Sequence, residues 1–186
     1  SALTCDESPY EHLNRIRQAA SLTPLSRNAL LEEAAQNHSR YLHHHNTIDH
    51  KETPNRTYFT GETPAARTTY TGYAYQSVLE NISSGNPNIC DSIDRLMSAI
   101  YHRLSFLDFL SDEVGIASEG QHYTYNLGNS AMNALCQGNS FTGAGHFYYQ
   151  VCHPNIKIEK TRYDAQKRTE REHPLGYIIW PPADAT

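Results

Sequence analysis

The sequence lacks several features that would each indicate a class of protein. No apolar run approaches the roughly 20 residues that a transmembrane helix needs, and the first residues do not form the charged-then-apolar pattern of a signal peptide. A basic excess is also missing, because 20 acidic and 15 basic residues give a formal net charge of −5. Nucleic acid is therefore not predicted as a partner, since phosphate binding needs a basic surface.

Closely spaced cysteines are missing as well, although the chain has four cysteines. Their spacing excludes the CxxC knuckle of a structural zinc site. Cys136 and Cys152 flank a glycine-rich segment that a disulfide would close as a loop, which leaves Cys5 to pair with Cys90 as one of three connectivities. Four free thiols in a cytosolic protein are the alternative. The disulfide hypothesis predicts the periplasm or the cell exterior.

The length of 186 residues is typical of one domain with a substantial core. The spacing of apolar, glycine and proline residues predicts a series of elements. In chain order these are helices over 7–20 and 26–45, an irregular segment over 47–63, a short helix over 64–70, a strand within 75–83, a helix over 89–104 and a hairpin turning near 119–120. Helices that come first, followed by mixed strands and helices, favour a sheet covered by helices on its faces.

The C-terminal part divides into segments of contrasting composition. Strands are predicted over 147–152 and 155–159, and the charged stretch 159–173 is either a solvated helix or a tether. An apolar strand bounded by prolines is predicted over 174–182. We therefore expect one domain over 7–158, with 159–186 either completing it or leading into a further module.

Two of the predicted helices have features that bear on a site. In the helix over 26–45, Ser26 is the predicted N-cap and Asn46 the C-terminal stop, and His38 is expected to be a hydrogen-bonded core residue. In the helix over 89–104, the pair His102-Arg103 lies near the end of an apolar stripe. That stripe, which helical spacing predicts to be buried, consists of Leu96, Met97, Ile100 and Leu104.

Three residues from different predicted elements form a candidate metal site: His50, Glu80 and His102. Two imidazoles and a carboxylate are a ligand set for Zn²⁺ that leaves one position open for water or a substrate, and Glu80 is also a candidate general base for hydrolysis. The alternative is a structural role for each residue. His50 would then cap its loop beside the acidic Glu52, Glu80 would accept backbone hydrogen bonds, and His102 would interact with the dipole of its helix.

Four stretches, taken in order, resemble the motifs of one known family. They are LNRIRQAASLTPLSRNALLEEAAQNHSRYL, IDHKE, LENIS, and SAIYHRLSFLD followed by EVGIA. The family is the CAP superfamily, also called the SCP, antigen 5 and PR-1 family, and the resemblance is closest to its bacterial branch. The resemblance covers residues 10–130.

The resemblance implies an α/β fold, an α-β-α sandwich in which helices flank a central, mainly antiparallel sheet, with a cleft lined by His and Glu. It places the first cavity histidine at His50, the family's Gly-Glu-Asn motif at Glu80-Asn81, and the second cavity histidine at His102. Glu52, Asn81 and Arg103 are further candidates for the lining of the cleft.

The sequence departs from the family pattern at several positions. Three positions hold a residue other than the family's usual Gly, Trp and Ser: Leu79, Leu96 and Ala99. The second carboxylate of the eukaryotic members has only a weak counterpart, Asp94. The stretch GAGHFYYQVCHP resembles the motif that carries the second cavity histidine in those members, which makes His146 the alternative to His102.

The resemblance and the disulfide hypothesis together predict a secreted or periplasmic domain. We expect it to bind a lipid, glycan or protein ligand through a cleft able to hold a divalent metal, most simply Zn²⁺. A zinc-dependent hydrolase that uses the same cleft is the second hypothesis. The third is a buried polar network that fixes the segment 47–63 without a metal. Members of the family are described mostly by binding and secretion, which favours binding over catalysis.

Overall fold

The computed structural model describes residues 5–138, 145–153, 156–171 and 181–182. The helices in these residues are α1 (Pro9–Ala19), α2 (Ala29–His45), α3 (Pro64–Thr71), α4 (Ile89–Ser98), α5 (Ile100–Phe106), α6 (Ser130–Gln137) and α7 (Lys160–Arg171). The strands are β1 (Ser26–Arg27), β2 (Leu79–Ser84), β3 (Glu113–Glu119), β4 (His122–Gly128), β5 (Phe147–Tyr148) and β6 (Ile158–Glu159). None of these helices is both long enough and apolar enough to span a lipid bilayer.

The central sheet has the strand order β1-β3-β4-β2. β4 pairs antiparallel with both β3 and β2, whereas β1 pairs parallel with β3 over two residues. The predicted hairpin is confirmed. Its turn contains Gly120 at a φ of +57°, a left-handed conformation that glycine adopts without steric cost. The sheet is therefore mainly antiparallel, as the resemblance implied.

Both faces of the sheet are covered by helices, and successive residues of a strand point to opposite faces. Tyr125 of β4 packs in a core with residues of α1 and α4. Its neighbours on the chain face α2 instead. The Ser39 hydroxyl donates to Thr124 at 2.8 Å, and the Asn126 amide donates to the carbonyl of Leu31. This arrangement confirms the α-β-α sandwich.

Helix α2 begins later than its sequence pattern predicts. Asn28 is its N-cap, since the Asn28 side-chain oxygen accepts hydrogen bonds from the N–H groups of Leu30 and Leu31. The prediction for Ser26 was wrong because Ser26 belongs to β1, and strand pairing with β3 is not visible in the local sequence. The predicted stop at Asn46 is confirmed, with a left-handed backbone at φ +48°.

The predicted single helix over 89–104 is two helices. Ala99 has an extended backbone, with φ −99° and ψ 120°, between α4 and α5. Leu96 of α4 is buried as predicted, but Ile100 and Leu104 of α5 are 57% and 61% exposed. The prediction of one continuous buried stripe was therefore wrong. The break at Ala99 gives α5 a new direction, so helical spacing no longer carries the apolar positions into the core.

The C-terminal part contains less strand than its sequence predicts. The predicted strand over 147–152 is confined to β5, and β6 covers only the last two residues of 155–159. The charged stretch forms α7, and α6 is a helix that sequence analysis did not predict. Of the apolar strand predicted over 174–182, only residues 181–182 are described, and they are in neither a helix nor a strand.

Two disulfides connect distant parts of the chain. Cys5 is bonded to Cys90 and Cys136 to Cys152. The first joins the segment before α1 to the first turn of α4, and the second joins α6 to the segment after β5. The predicted pairing is confirmed, and the alternative of four free thiols is wrong.

Candidate functional site

Four charged side chains are buried where α2, α3, β2 and the irregular segment between α2 and α3 meet. These residues, called the buried charge cluster below, are His38, Glu52, Arg67 and Glu80. Their side chains are at most 1% exposed. Burying an unpaired charge is costly, so the stability of this region depends on pairing within the cluster.

Arg67 of α3 is the centre of the buried charge cluster. Its Nη2 lies 2.9 Å from both carboxylate oxygens of Glu80 and donates to the backbone carbonyl of His50 at 2.8 Å. Nη1 donates to the carbonyl of Gly61 at 3.1 Å. Nε lies 3.6 Å from Oε2 of Glu52, which is an ion-pair distance. One guanidinium thus connects both carboxylates and the irregular segment to α3.

His38 of α2 is the fourth member of the cluster. Its Nε2 lies 2.9 Å from the backbone oxygen of Asp49, and its Nδ1 lies 2.6 Å from Oε2 of Glu52. The carbonyl oxygen only accepts hydrogen bonds, so Nε2 is the donor in its contact with Asp49. Both ring nitrogens of His38 thus have a hydrogen-bonded partner. The prediction of His38 as a hydrogen-bonded core residue is confirmed.

His50 lies at the surface above the buried charge cluster. Its Nδ1 is 2.9 Å from Oε1 of Glu80, while its side chain is 48% exposed. The hydrogen bond to Glu80 raises the pKa of His50, and this effect exceeds the opposing effect of partial burial. Glu80 therefore holds the ring at Nδ1 and leaves Nε2 as the nitrogen that a ligand would contact.

Glu80 is held in its ionised form by its neighbours. Burial alone would raise its pKa, but the hydrogen bond from His50 and the positive charges of Arg67 and His38 together outweigh burial and lower it. Both carboxylate oxygens are within 2.9 Å of Arg67 Nη2, and Oε1 is also 2.9 Å from His50 Nδ1. The carboxylate is thus occupied as an acceptor.

His102 contacts the next residue of β2, Asn81. The Asn81 amide donates to the backbone carbonyl of His102 at 2.9 Å, and its Oδ1 lies 3.3 Å from Nδ1 of the His102 ring. The amide oxygen only accepts, so Nδ1 is the donor in this contact. In the register of β2 with β4, Asn81 lies opposite Tyr125 and Glu80 lies opposite Asn126. Successive residues of a strand point in opposite directions, so the side chains of Glu80 and Asn81 lie on opposite faces of the sheet.

The structure therefore joins the predicted site residues in two groups, His50 with Glu80 and His102 with Asn81. β2 is an edge strand, so a site using both histidines would lie at the edge of the sheet. Glu52 is joined to the first group through Arg67. No group of three or more His, Cys, Asp or Glu side chains in the described part of the chain is arranged to hold a metal ion.

The other predicted positions lie elsewhere. Arg103 is half-buried on α5 beside His102. Asp94 of α4 lies 2.7 Å from Nε2 of His12, to which it is paired. His146 precedes β5, and its carbonyl accepts a hydrogen bond from the backbone N–H of Lys160.

Arg67, the residue that holds the site together, is not indicated by any pattern in the sequence. It lies in a short helix without a strong periodic pattern, so nothing local indicates that it is buried. The available signal was electrostatic. Glu52 and Glu80 were both candidates for one cleft, and two carboxylates that share a buried site require a cation nearby.

The lowered pKa of Glu80 predicts how stability depends on pH. Such a carboxyl group stabilises the fold above its unfolded pKa, near 4.5, and this stabilisation is lost as the pH falls through the folded pKa. Glu80→Gln lacks this ionisation. We therefore expect the difference in unfolding free energy between this variant and the native chain to shrink as the pH falls from about 7 to about 3. Urea unfolding at several pH values measures this difference.

The control for this experiment is Glu33→Gln, because Glu33 is an exposed carboxylate on α2. It should unfold like the native chain at each pH. A Glu80→Gln difference that stays constant over the whole pH range would contradict the prediction.

Comparisons with known proteins agree with this fold. The family model of the cysteine-rich secretory protein family, CAP, matches residues 10–153. A search of curated proteins gave no match. The solved structure of an extracellular protein containing an SCP domain from Bacillus anthracis superposes with a TM-score of 0.60 at 20% identity, covering 66% of this chain and 39% of that one.

Two further solved structures are similar. An outer surface protein from Borrelia burgdorferi gives a TM-score of 0.56 at 18% identity, covering 64% of this chain and 88% of its own. A cysteine-rich secretory protein from Staphylococcus aureus gives a TM-score of 0.51 at 20% identity, covering 64% of this chain and 36% of its own. The chain thus spans well under half the length of the Bacillus and Staphylococcus proteins. With its family-model match over residues 10–153 and its sandwich fold, this chain belongs to the CAP family of cysteine-rich secretory proteins.

Proposed function

We propose that this chain is a secreted binding domain whose ligand site lies at the edge of the sheet formed by β2. The observation that carries the proposal is that consecutive β2 residues, Glu80 and Asn81, each engage Nδ1 of one histidine, His50 and His102. Nε2 of each ring is left for a ligand. The two disulfides and the extracellular relative from Bacillus anthracis support secretion.

We propose a divalent metal held by the two histidines around the edge of β2, because Glu80 and Asn81 point to opposite faces of the sheet. A histidine that binds a metal usually donates its other ring N–H to a carboxylate or a carbonyl, which orients the ring and raises its basicity. Glu80 and Asn81 are suited to that supporting role. Because both oxygens of Glu80 already accept hydrogen bonds, Glu80 fits the support of His50 better than direct ligation. A bound Zn²⁺ would supply a Lewis-acidic contact for an anionic or carbonyl group of the ligand.

Binding is favoured over hydrolysis by the state of the two carboxylates. A general base must take up a proton near the working pH. The lowered pKa of Glu80 makes it a weak base, and its oxygens are occupied. Glu52 is fully buried and accepts hydrogen bonds from His38 and from the backbone N–H of Thr60. Neither carboxylate is therefore well placed to activate water.

The surface beside His102 favours a ligand with apolar groups. Ile100, Tyr101 and Leu104 of α5 are each more than half exposed, and grouped exposed apolar side chains commonly mark binding surfaces. We therefore favour a lipid-like or protein ligand over a glycan.

Calorimetric titration of Zn²⁺ tests the proposed site. We expect a binding event in the native chain that is lost in the double variant His50→Ala, His102→Ala, and that weakens about tenfold or more in Asn81→Ala, because His102 then loses its support. His44→Ala, which removes an exposed histidine of α2, is the control and should retain this event. An unchanged titration of the double variant would overturn the metal site.

A further inference from the structure

A second pair of histidines meets on the other side of α2 from the buried charge cluster. His43 is in the last turn of α2, and His122 is the first residue of β4. Their ring centroids are 5.7 Å apart with an interplanar angle of 63°. The two rings come from elements that are far apart in the sequence, so the fold itself brings them together.

Neither ring has a hydrogen-bonded partner in the described part of the chain. His122 is 8% exposed, and its Nδ1 is buried without a partner. Buried polar groups are almost always hydrogen-bonded, so the unpaired Nδ1 of His122 needs a physical explanation. His43 is exposed, and within the described residues its ring packs against that of His122.

The position of His43 is set by the turn between β3 and β4. A Cβ atom added at Gly120 would lie 2.5 Å from Nδ1 of His43 and 2.6 Å from its Cε1. The ring therefore packs directly on the backbone of the turn, in space that only glycine leaves open. His43 and His122 are thus held beside each other by backbone packing.

The environment of His122 favours its neutral imidazole form. Burial lowers the pKa of His122, and the neighbouring His43 lowers it further. Glu119, which lines the same surface cleft as His43, accepts a hydrogen bond from Gln36 at 3.0 Å. Neutral imidazole is the form that binds transition metals.

We propose that His43 and His122 form a second metal site, one that takes a borderline divalent cation of the Zn²⁺ type. With Zn–N bonds of about 2.0–2.1 Å, two imidazoles on one tetrahedral ion have centroids about 5–6 Å apart, and the observed separation falls in this range. A surface cleft of about 510 Å³ reaches the pair from the side of His43. It is lined by Arg40, His43, His44, Tyr58 and Glu119.

The pair would supply two protein ligands, and water would occupy the remaining positions of the ion. Imidazole suits Zn²⁺ and Cu²⁺, whereas Ca²⁺ and Mg²⁺ prefer oxygen ligands. The site should therefore discriminate against Ca²⁺ and Mg²⁺. It is independent of the site at His50 and His102, because no residue is shared.

Calorimetry in the His50→Ala, His102→Ala background isolates this site. We expect Zn²⁺ to bind this double variant with a stoichiometry near one, and the added change His43→Gln to weaken that binding about tenfold or more. His43 is exposed, so this change should leave the fold intact. His44→Gln, its exposed neighbour on α2, is the matched control and should leave the affinity unchanged.

NMR of the imidazole nitrogens gives a second measurement that does not rely on a variant of the buried residue. Zn²⁺ should shift the His43 and His122 ring signals together, whereas Ca²⁺ should shift neither. Absence of Zn²⁺ binding in the double variant, or binding that His43→Gln leaves unchanged, would overturn the second site.

Discussion

Replacing Arg67 with methionine is expected to lower the free energy of unfolding by about 3–5 kcal/mol, because it leaves buried carboxylates without their cation. Arg67 contacts Glu80 through both carboxylate oxygens and lies 3.6 Å from Glu52. It also donates to the backbone carbonyls of His50 and Gly61, so the irregular segment would lose these two hydrogen bonds to α3. Chemical denaturation monitored by circular dichroism measures the loss.

The matched control is Arg56→Met. Arg56 lies in the same irregular segment but is exposed, so its replacement should change stability by less than about 0.5 kcal/mol. A loss of similar size in both variants would show that the effect is not due to burial of the charge.

A double-mutant cycle separates the ion pair from the packing of Arg67. Glu80→Met added to Arg67→Met removes the stranded carboxylate, so the double variant should be less destabilised than the sum of the two single variants predicts. Strict additivity would mean that Arg67 and Glu80 do not stabilise each other.

Replacing Gly115 with alanine is expected to destabilise the fold by about 3 kcal/mol or more, because α2 crosses β3 at this residue without room for a side chain. An added Cβ would lie 2.0 Å from the backbone nitrogen of Glu32 and 2.1 Å from the carbonyl carbon of Leu31. Backbone atoms cannot rotate away as the end of a side chain can, so α2 itself would have to shift. Such a shift would also move His38 and thereby disturb the buried charge cluster.

Gly138→Ala is the matched control for this substitution. Gly138 follows α6 with φ −82°, and among the described residues an added Cβ would meet the carbonyl of Ala134 at 3.5 Å, an ordinary contact. This variant should be as stable as the native chain to within about 1 kcal/mol. Thermal unfolding of both variants measures the difference. Equal melting temperatures for Gly115→Ala and the native chain would contradict the close approach of α2 and β3.

Some features could be predicted from the sequence because their causes are local. Apolar spacing indicated α1 and α2, Asn46 marked the end of α2, and Gly120 marked the hairpin turn. These signals depend on the conformation of a few adjacent residues, which the sequence itself determines. The family motifs extended the prediction to the sandwich fold.

Other features were decided only by the tertiary structure, because their causes are contacts between distant residues. Ser26 pairs with β3 instead of capping α2, and the chain breaks its helix at Ala99, so that Ile100 is exposed. The candidate site shows the same division. Motifs indicated His50 and Glu80, but only the fold shows that Arg67 occupies both oxygens of Glu80 and that Asn81 holds His102. Burial and charge pairing depend on which elements pack together, and no local pattern in the sequence records that.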